Sequence, residues 1–144
     1  MKRFRFRLEQ VLRVRRLQED MARAELMHAN REARAAADRV NERIAEYNGA
    51  PRPGGEQAYD EFNRVQFHLD NAAGAITVAR TEYRNALKVV DDRRAEWAQA
   101  RQRVAALERL EERRRDEHAI EARRADDRLV DDLVVARHSR GASE

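Results

Sequence analysis

The residue types that could do chemistry are present in this chain, but their spacing keeps them apart. His28, His68, His118 and His138 are scattered along the sequence, no two at metal-ligand spacing, and there is no cysteine to join them. The acidic pairs Asp91-Asp92, Asp126-Asp127 and Asp131-Asp132 read as solvated surface. The phosphate-binding P-loop and the dinucleotide-binding glycine pattern are both missing. No catalytic, cofactor-binding or metal-binding residue is therefore expected, no small-molecule substrate, and no enzyme activity.

The remaining candidates do the chemistry of contact. Arg3-Phe4-Arg5-Phe6-Arg7-Leu8 interleaves cations with aromatic rings at period two, as a strand would. It is too short to be a stable strand without a sheet, so we read it as a frayed helix start or a segment that orders on a partner. Residues 1–16 carry seven basic side chains against Glu9 alone, a local charge of +6 within a chain whose formal net charge is +3. The remainder is therefore acidic on balance. A basic, aromatic segment also suits nucleic acid or an anionic membrane, but the acidic balance elsewhere argues against a basic stripe along the chain.

These residues need elements to hold them, and composition says which. The chain has 144 residues, 40% charged and 6% aromatic, with two prolines. That is the composition of long helices, and a compact globule would need more large apolar side chains to offset chain entropy. No apolar run approaches the ~20 residues that span a bilayer, and none follows the basic N-terminus as in a secretory signal. A soluble cytoplasmic protein is the expectation.

One segment is rich in helix breakers: Asn48-Gly49-Ala50-Pro51-Arg52-Pro53-Gly54-Gly55. It predicts a first helix over 5–47, a turn over 48–55, a second helix over 56–138 and a frayed tail over 139–144. Together they form a single unit, 1–144. Gly74 is the one breaker inside the second helix, costing ~1 kcal/mol relative to Ala. Phe62, Leu69, Ile76, Tyr83, Val90, Trp97 and Val104 recur every seventh residue. Three positions after each stand Val65, Ala72, Ala79, Ala86, Arg93, Ala100 and Leu107. These are the a and d positions of a coiled coil. In the first helix Leu26, Asn30, Ala33, Ala37, Val40, Ile44 and Tyr47 form the matching seam. Val14, Leu17, Met21 and Ala24 continue it in a shifted phase. The expected fold is all-α, a long antiparallel two-helix coiled-coil hairpin; the alternative is a coil shared with another copy. With the turn at 48–55, position i faces about 103 − i. The first helix then runs out near residue 100 and the second overhangs it.

The overhang turns polar in the seam, with Glu111, Arg114, His118, Glu121, Arg128 and Asp132 at a and d, then apolar again. Leu129, Val130, Leu133 and Val134, with Val135, form a patch without a local partner helix, and exposed contiguous apolar surface marks interaction sites. The alternative is that the tail folds back or pairs in a homodimer. A second strip, Phe67, Asn71, Gly74 and Val78, points away from the seam.

The run Phe4-Arg5-Phe6-Arg7-Leu8-Glu9-Gln10-Val11-Leu12-Arg13-Val14-Arg15 resembles the opening of the flagellar FliJ family. So does Leu107-Glu108-Arg109-Leu110-Glu111-Glu112-Arg113-Arg114-Arg115-Asp116-Glu117, leading into a charged helix with a small apolar cluster. The resemblance implies a cytoplasmic component of the flagellar type III protein export apparatus, peripheral to the inner membrane at the flagellar base. Members look like the gamma-subunit stalk of rotary ATPases. They engage and stimulate the export ATPase ring, contact the membrane export gate, and assist export of flagellar proteins as chaperones or escorts. On that reading Phe4, Phe6, Arg7, Arg13, Leu129, Val130, Leu133 and Val134 would meet the ATPase. The family meets the gate in the middle of the second helix. No residue-by-residue match to that contact stands here, and Phe67, Asn71, Gly74 and Val78 are the candidate by their outward orientation alone, with export chaperones or substrates as further partners. The neighbouring alternative is the equivalent stalk of a virulence-type secretion system. An alternative of another class is a basic coiled-coil adaptor for nucleic acid or anionic membrane, recognised by steep salt dependence.

Overall fold

The computed structural model describes residues 3–56 and 58–141, and the last residues of the expected frayed tail, 142–144, lie outside that range. Two helices pack against each other as an antiparallel hairpin: α1, Glu9–Gly49, and α2, Tyr59–Gly141. No strand occurs among the described residues. Residues 139–141, expected to fray, still belong to α2. Contacts divide the chain into two compact units, Glu19–Gln99 and Met1–Gln18 with Ala100–Glu144.

In the unit Glu19–Gln99 the heptad of α2 turns inward. Leu69, Ala79 and Val90 are buried, while Val65, Ala72, Ile76, Tyr83, Ala86, Arg93 and Trp97 are half-buried at the same three-four spacing. From α1 come Ala29, Ala33 and Ala36, all buried, with Ala22, Leu26, Val40, Ile44 and Tyr47 beside them. Val90 packs on Ala29 and Ala33, with Leu26 and Ala86 around it. Small side chains on α1 thus let the larger ones of α2 approach its backbone. A buried Val contributes roughly 1.5–3 kcal/mol and a methyl group about 0.8, so the larger α2 residues supply most of the stabilisation. Arg93 reaches Glu25 at 3.2 Å and Arg39 reaches Glu82 at 3.9 Å across the hairpin. These pairs are about half exposed, so solvent screens them and they add little to stability. The Glu96 hydrogen bond and charge, then the Glu25 charge, raise the Arg93 pKa further above its ordinary value, so no working pH neutralises it.

Two expectations for α1 need correction. Asn30 is exposed, and the neighbouring Ala29 occupies the seam. The shift of phase does not occur either. Met21 and Ala24 face outward, whereas Ala22 and Glu19 turn toward α2. One phase runs back from Leu26 because the alanine seam already fixes the rotation of the helix. Long polar side chains tolerate this, laying their stems on the seam and their charges in water.

The register also differs. Leu12, expected opposite Asp91, shares its cluster with Val104, and Arg39, expected opposite Arg64, reaches Glu82. The offset is about four helical turns. Its cause is the linker after Gly49, which does not reverse at once. Prolines cannot extend a helix, and Pro51 lines one shallow cleft with Arg64, Val65 and His68. The linker therefore occupies the place beside the first turns of α2 that α1 was expected to fill. Phe62 is accordingly 44% exposed at the start of the heptad. Arg52 closes the end of α1, donating to the Tyr47 carbonyl at 3.1 Å while its guanidinium sits 4.4 Å from the Tyr47 ring centroid. It supplies the cation that the last turn of α1 lacks. Gly55, at φ 76°, makes the left-handed bend that leads into α2.

In the unit Met1–Gln18 with Ala100–Glu144, Leu12, Phe6 and Val104 form the core. Leu12 is 2% exposed and Phe6 9%. Phe4, Leu8, Leu107 and Leu110 pack around them. Arg16 reaches Glu108 at 3.1 Å. Val14 and Leu17, assigned to a shifted seam by the sequence, point outward here, and Leu17 is 61% exposed.

Candidate partner-binding surfaces

The residues before α1 form an arm rather than a frayed helix. Arg3–Phe6 has no regular structure and Glu9 opens α1, with the Glu9 amide donating to the Phe6 carbonyl at 3.2 Å. Period two now has a physical meaning. Phe4, Phe6 and Leu8 turn toward α2 while Arg3, Arg5 and Arg7 stay in solvent. The Phe4 ring meets His118 edge-on with centroids 5.6 Å apart, and the Arg115 guanidinium lies 5.7 Å from the Phe4 centroid. The arm thus covers the part of α2 where the seam turns polar.

That placement revises two expectations. Phe6, nominated to meet a partner, is buried against Leu12 and Val104 and anchors the arm instead. The basic start and the apolar tip, expected to meet the ATPase together, also stand apart among the described residues. Phe4 reaches His118, and Leu129 lies roughly 16 Å further along α2 at ~1.5 Å per residue. Arg7 and Arg13 are exposed, Arg13 with only a loose 3.8 Å contact to Glu9. Phe4 is partly exposed at the edge of a shallow depression shared with Leu110, Arg114 and Glu121.

The tip is bare. Leu129, Val130, Leu133, Val134 and Val135 are all exposed, with Leu133 at 64%. No described residue outside α2 packs on them, and a shallow apolar groove runs between Val130, Leu133, Val134 and Arg137. Several turns before the tip, α2 carries local pairs such as Arg114 with Glu117 at 2.9 Å and Arg115 with Glu111 at 3.1 Å.

The mid-helix strip, in the other unit, is outward as well. Phe67 is 68% exposed, and Val78, Asn71 and Gly74 are exposed beside it. A Cβ on Gly74 would meet nothing within 4 Å, so packing within the chain gives no reason for a glycine there.

The two-helix hairpin is the fold that the heptad and the Pro/Gly break had predicted. The family model for the flagellar FliJ protein matches residues 4–143. The chain belongs to the FliJ family. The match begins at Phe4 of the arm and continues past the tip, so both lie inside the FliJ pattern. Membership makes it a flagellar export-related protein, associated with the flagellar export apparatus. The FliJ-family fold offers no helix, among the described residues, long and apolar enough to cross a membrane. No curated protein and no solved structure gave a match to this chain.

The sequence had missed the arm's docking site. The signal was there: the period-two row Phe4, Phe6, Leu8 has its counterpart in Leu107 and Leu110, one helical turn apart on α2. The register placed those leucines past the end of their partner, so they were left unmatched.

Proposed function

We propose that this FliJ-family chain is the central stalk of the flagellar type III export ATPase. It binds the ATPase ring and raises its hydrolysis, links the ring to the membrane export gate, and assists export of flagellar proteins. It acts in the cytoplasm, peripheral to the inner membrane at the flagellar base. The observation that carries this reading is the bare tip. Five aliphatic side chains stand exposed on a single helix otherwise covered in charge. Keeping them in water is unfavourable by tens of cal/mol per Å², and a protein partner removes that cost. Leu129, Val130, Leu133 and Val134 are the ATPase-facing residues, with Arg7, Arg13 and the edge of Phe4 as a second contact. Phe67, Asn71, Gly74 and Val78 form the gate-facing strip, where a glycine without a packing role admits a close backbone approach.

Co-purification with the flagellar ATPase tests this, using the full chain and a variant ending at Arg128. The full chain binds and raises ATP hydrolysis, and the shortened one largely loses both. Equal binding by the two would remove the tip from the mechanism. Salt-sensitive RNA or lipid binding without ATPase binding would replace the stalk by an adaptor.

A further inference from the structure

The arm is held on α2 by apolar side chains alone. Phe6 is buried, Phe4 and Leu8 are half-buried, and they share one cluster with Val104, Leu107 and Leu110. Among the described residues no hydrogen bond and no ion pair joins Arg3–Leu8 to α2. Arg3, Arg5 and Arg7, which alternate with the apolar side chains, are exposed and take no acidic partner there. Shallow clefts border the arm, one reaching Arg114 and Glu121, the other Glu111 and Arg115. The arm therefore rests on the helix without being enclosed by it.

Ordering residues ahead of a helix costs backbone entropy at each one. Here one buried ring and two half-buried side chains offset that cost. Leu12 meanwhile keeps the first turns of α1 on Val104. The arm is thus the part of this cluster that can leave while α1 stays in place.

What it leaves behind is short. Val104, Leu107 and Leu110 span roughly 9 Å at ~1.5 Å per residue, and the seam beyond them is Glu111, Arg114 and His118. A partner helix needs an apolar seam sustained over several heptads, and this stretch has none. A short non-helical segment with apolar side chains at alternate positions fits, because one already lies there. The place that Phe4 fills has the His118 ring at 5.6 Å and the Arg115 guanidinium at 5.7 Å, which favours an aromatic side chain.

We propose that the arm is a stand-in for a ligand, and that Val104, Leu107, Leu110 and His118 form a binding site for unfolded polypeptide. The ligand is a non-helical segment of an exported protein, with an aromatic residue and further apolar residues at alternate positions. It enters as the arm leaves. The residues between its apolar side chains are unrestricted, as the solvent-facing arginines show, so one site serves many sequences. This deepens the export-assisting part of the proposed function and rests on that part for the source of the ligand. It is independent of the ATPase contact at the tip.

Fluorescence anisotropy on the full chain tests the site with no ATPase present, using a labelled peptide of the arm's own sequence, Arg3–Glu9. Wild-type protein binds the peptide weakly, because its own arm is in the way. Phe6→Ala loosens the arm and binds about tenfold tighter or more, and Leu110→Glu added to it removes the binding. Phe4→Ser loosens the arm without emptying the core and shifts affinity in the same direction, which keeps the test valid if Phe6→Ala loses helix by circular dichroism. A peptide with serines in place of the three arginines competes, and one of the original composition with its apolar residues made contiguous does not. No peptide uptake by either loosened variant at wild-type helix content overturns the site, as does equal binding of the rearranged peptide. A loosened chain that pairs with a second copy and takes no peptide overturns it as well. Peptide uptake without ATPase stimulation would remove the stalk and leave this site, and stimulation without uptake would do the reverse.

Discussion

The Phe4 ring stands edge-on to the His118 imidazole, with 5.6 Å between centroids, and so joins the fourth residue of the chain to the far half of α2. This contact turns a basic, aromatic opening into a strap over a helix. It also divides the far half of α2 into a covered part near Val104–His118 and a bare part from Leu129 onward.

If Phe6 anchors the arm and Phe4 only edges it, the two should differ on truncation. Phe6→Ala removes a buried ring from the cluster with Leu12 and Val104 and costs about 2–3 kcal/mol, at or just below the usual range for a core Phe. Phe4→Ala costs under about 1 kcal/mol, because its ring is partly exposed. Urea denaturation followed at 222 nm separates them. Equal losses would mean that the arm is not docked as described.

The phase of α1 gives a second contrast. Leu12 is 2% exposed and Leu17 61%. Leu12→Ala should lower stability by about 2–3 kcal/mol, whereas Leu17→Ala stays within about 0.5 kcal/mol, as exposed substitutions do. The reverse order would restore the shifted seam of Val14, Leu17, Met21 and Ala24.

Gly74 offers a third. An added Cβ meets nothing, and Ala is favoured over Gly in a helix interior by ~1 kcal/mol. Gly74→Ala should therefore raise the melting temperature. If the Phe67, Asn71, Gly74, Val78 strip receives the export gate, the same substitution weakens gate capture in a pull-down despite the added stability. A stabilised variant with undiminished capture would free the strip from that role.

Much of this was legible in the sequence, for reasons that differ along the chain. The heptad of α2 could be read because large residues recur at fixed spacing, and the break at 48–55 because proline and glycine act locally. The position of the tip followed from the same pattern. Register was harder, since it depends on how many residues the linker spends alongside α2, and Pro51 beside Val65 and His68 is a tertiary fact. The phase of α1 misled for another reason. Val14, Leu17, Met21 and Ala24 form the more apolar row, yet the alanines at 29, 33 and 36 had already fixed the rotation of the helix. The arm was misplaced as a consequence. With the register short by about four turns, Leu107 and Leu110 had no apparent partner.

The central claim is that the bare tip of α2 drives the export ATPase, and one substitution addresses it directly. Leu133→Glu lies on an exposed position, so the chain keeps its helix content while the apolar face is broken. ATP hydrolysis by the purified flagellar ATPase should be measured against increasing wild-type or variant protein. The account predicts stimulation by the wild type and little or none by Leu133→Glu at the same concentrations. Equal stimulation by the two, at matched helix content, would contradict it.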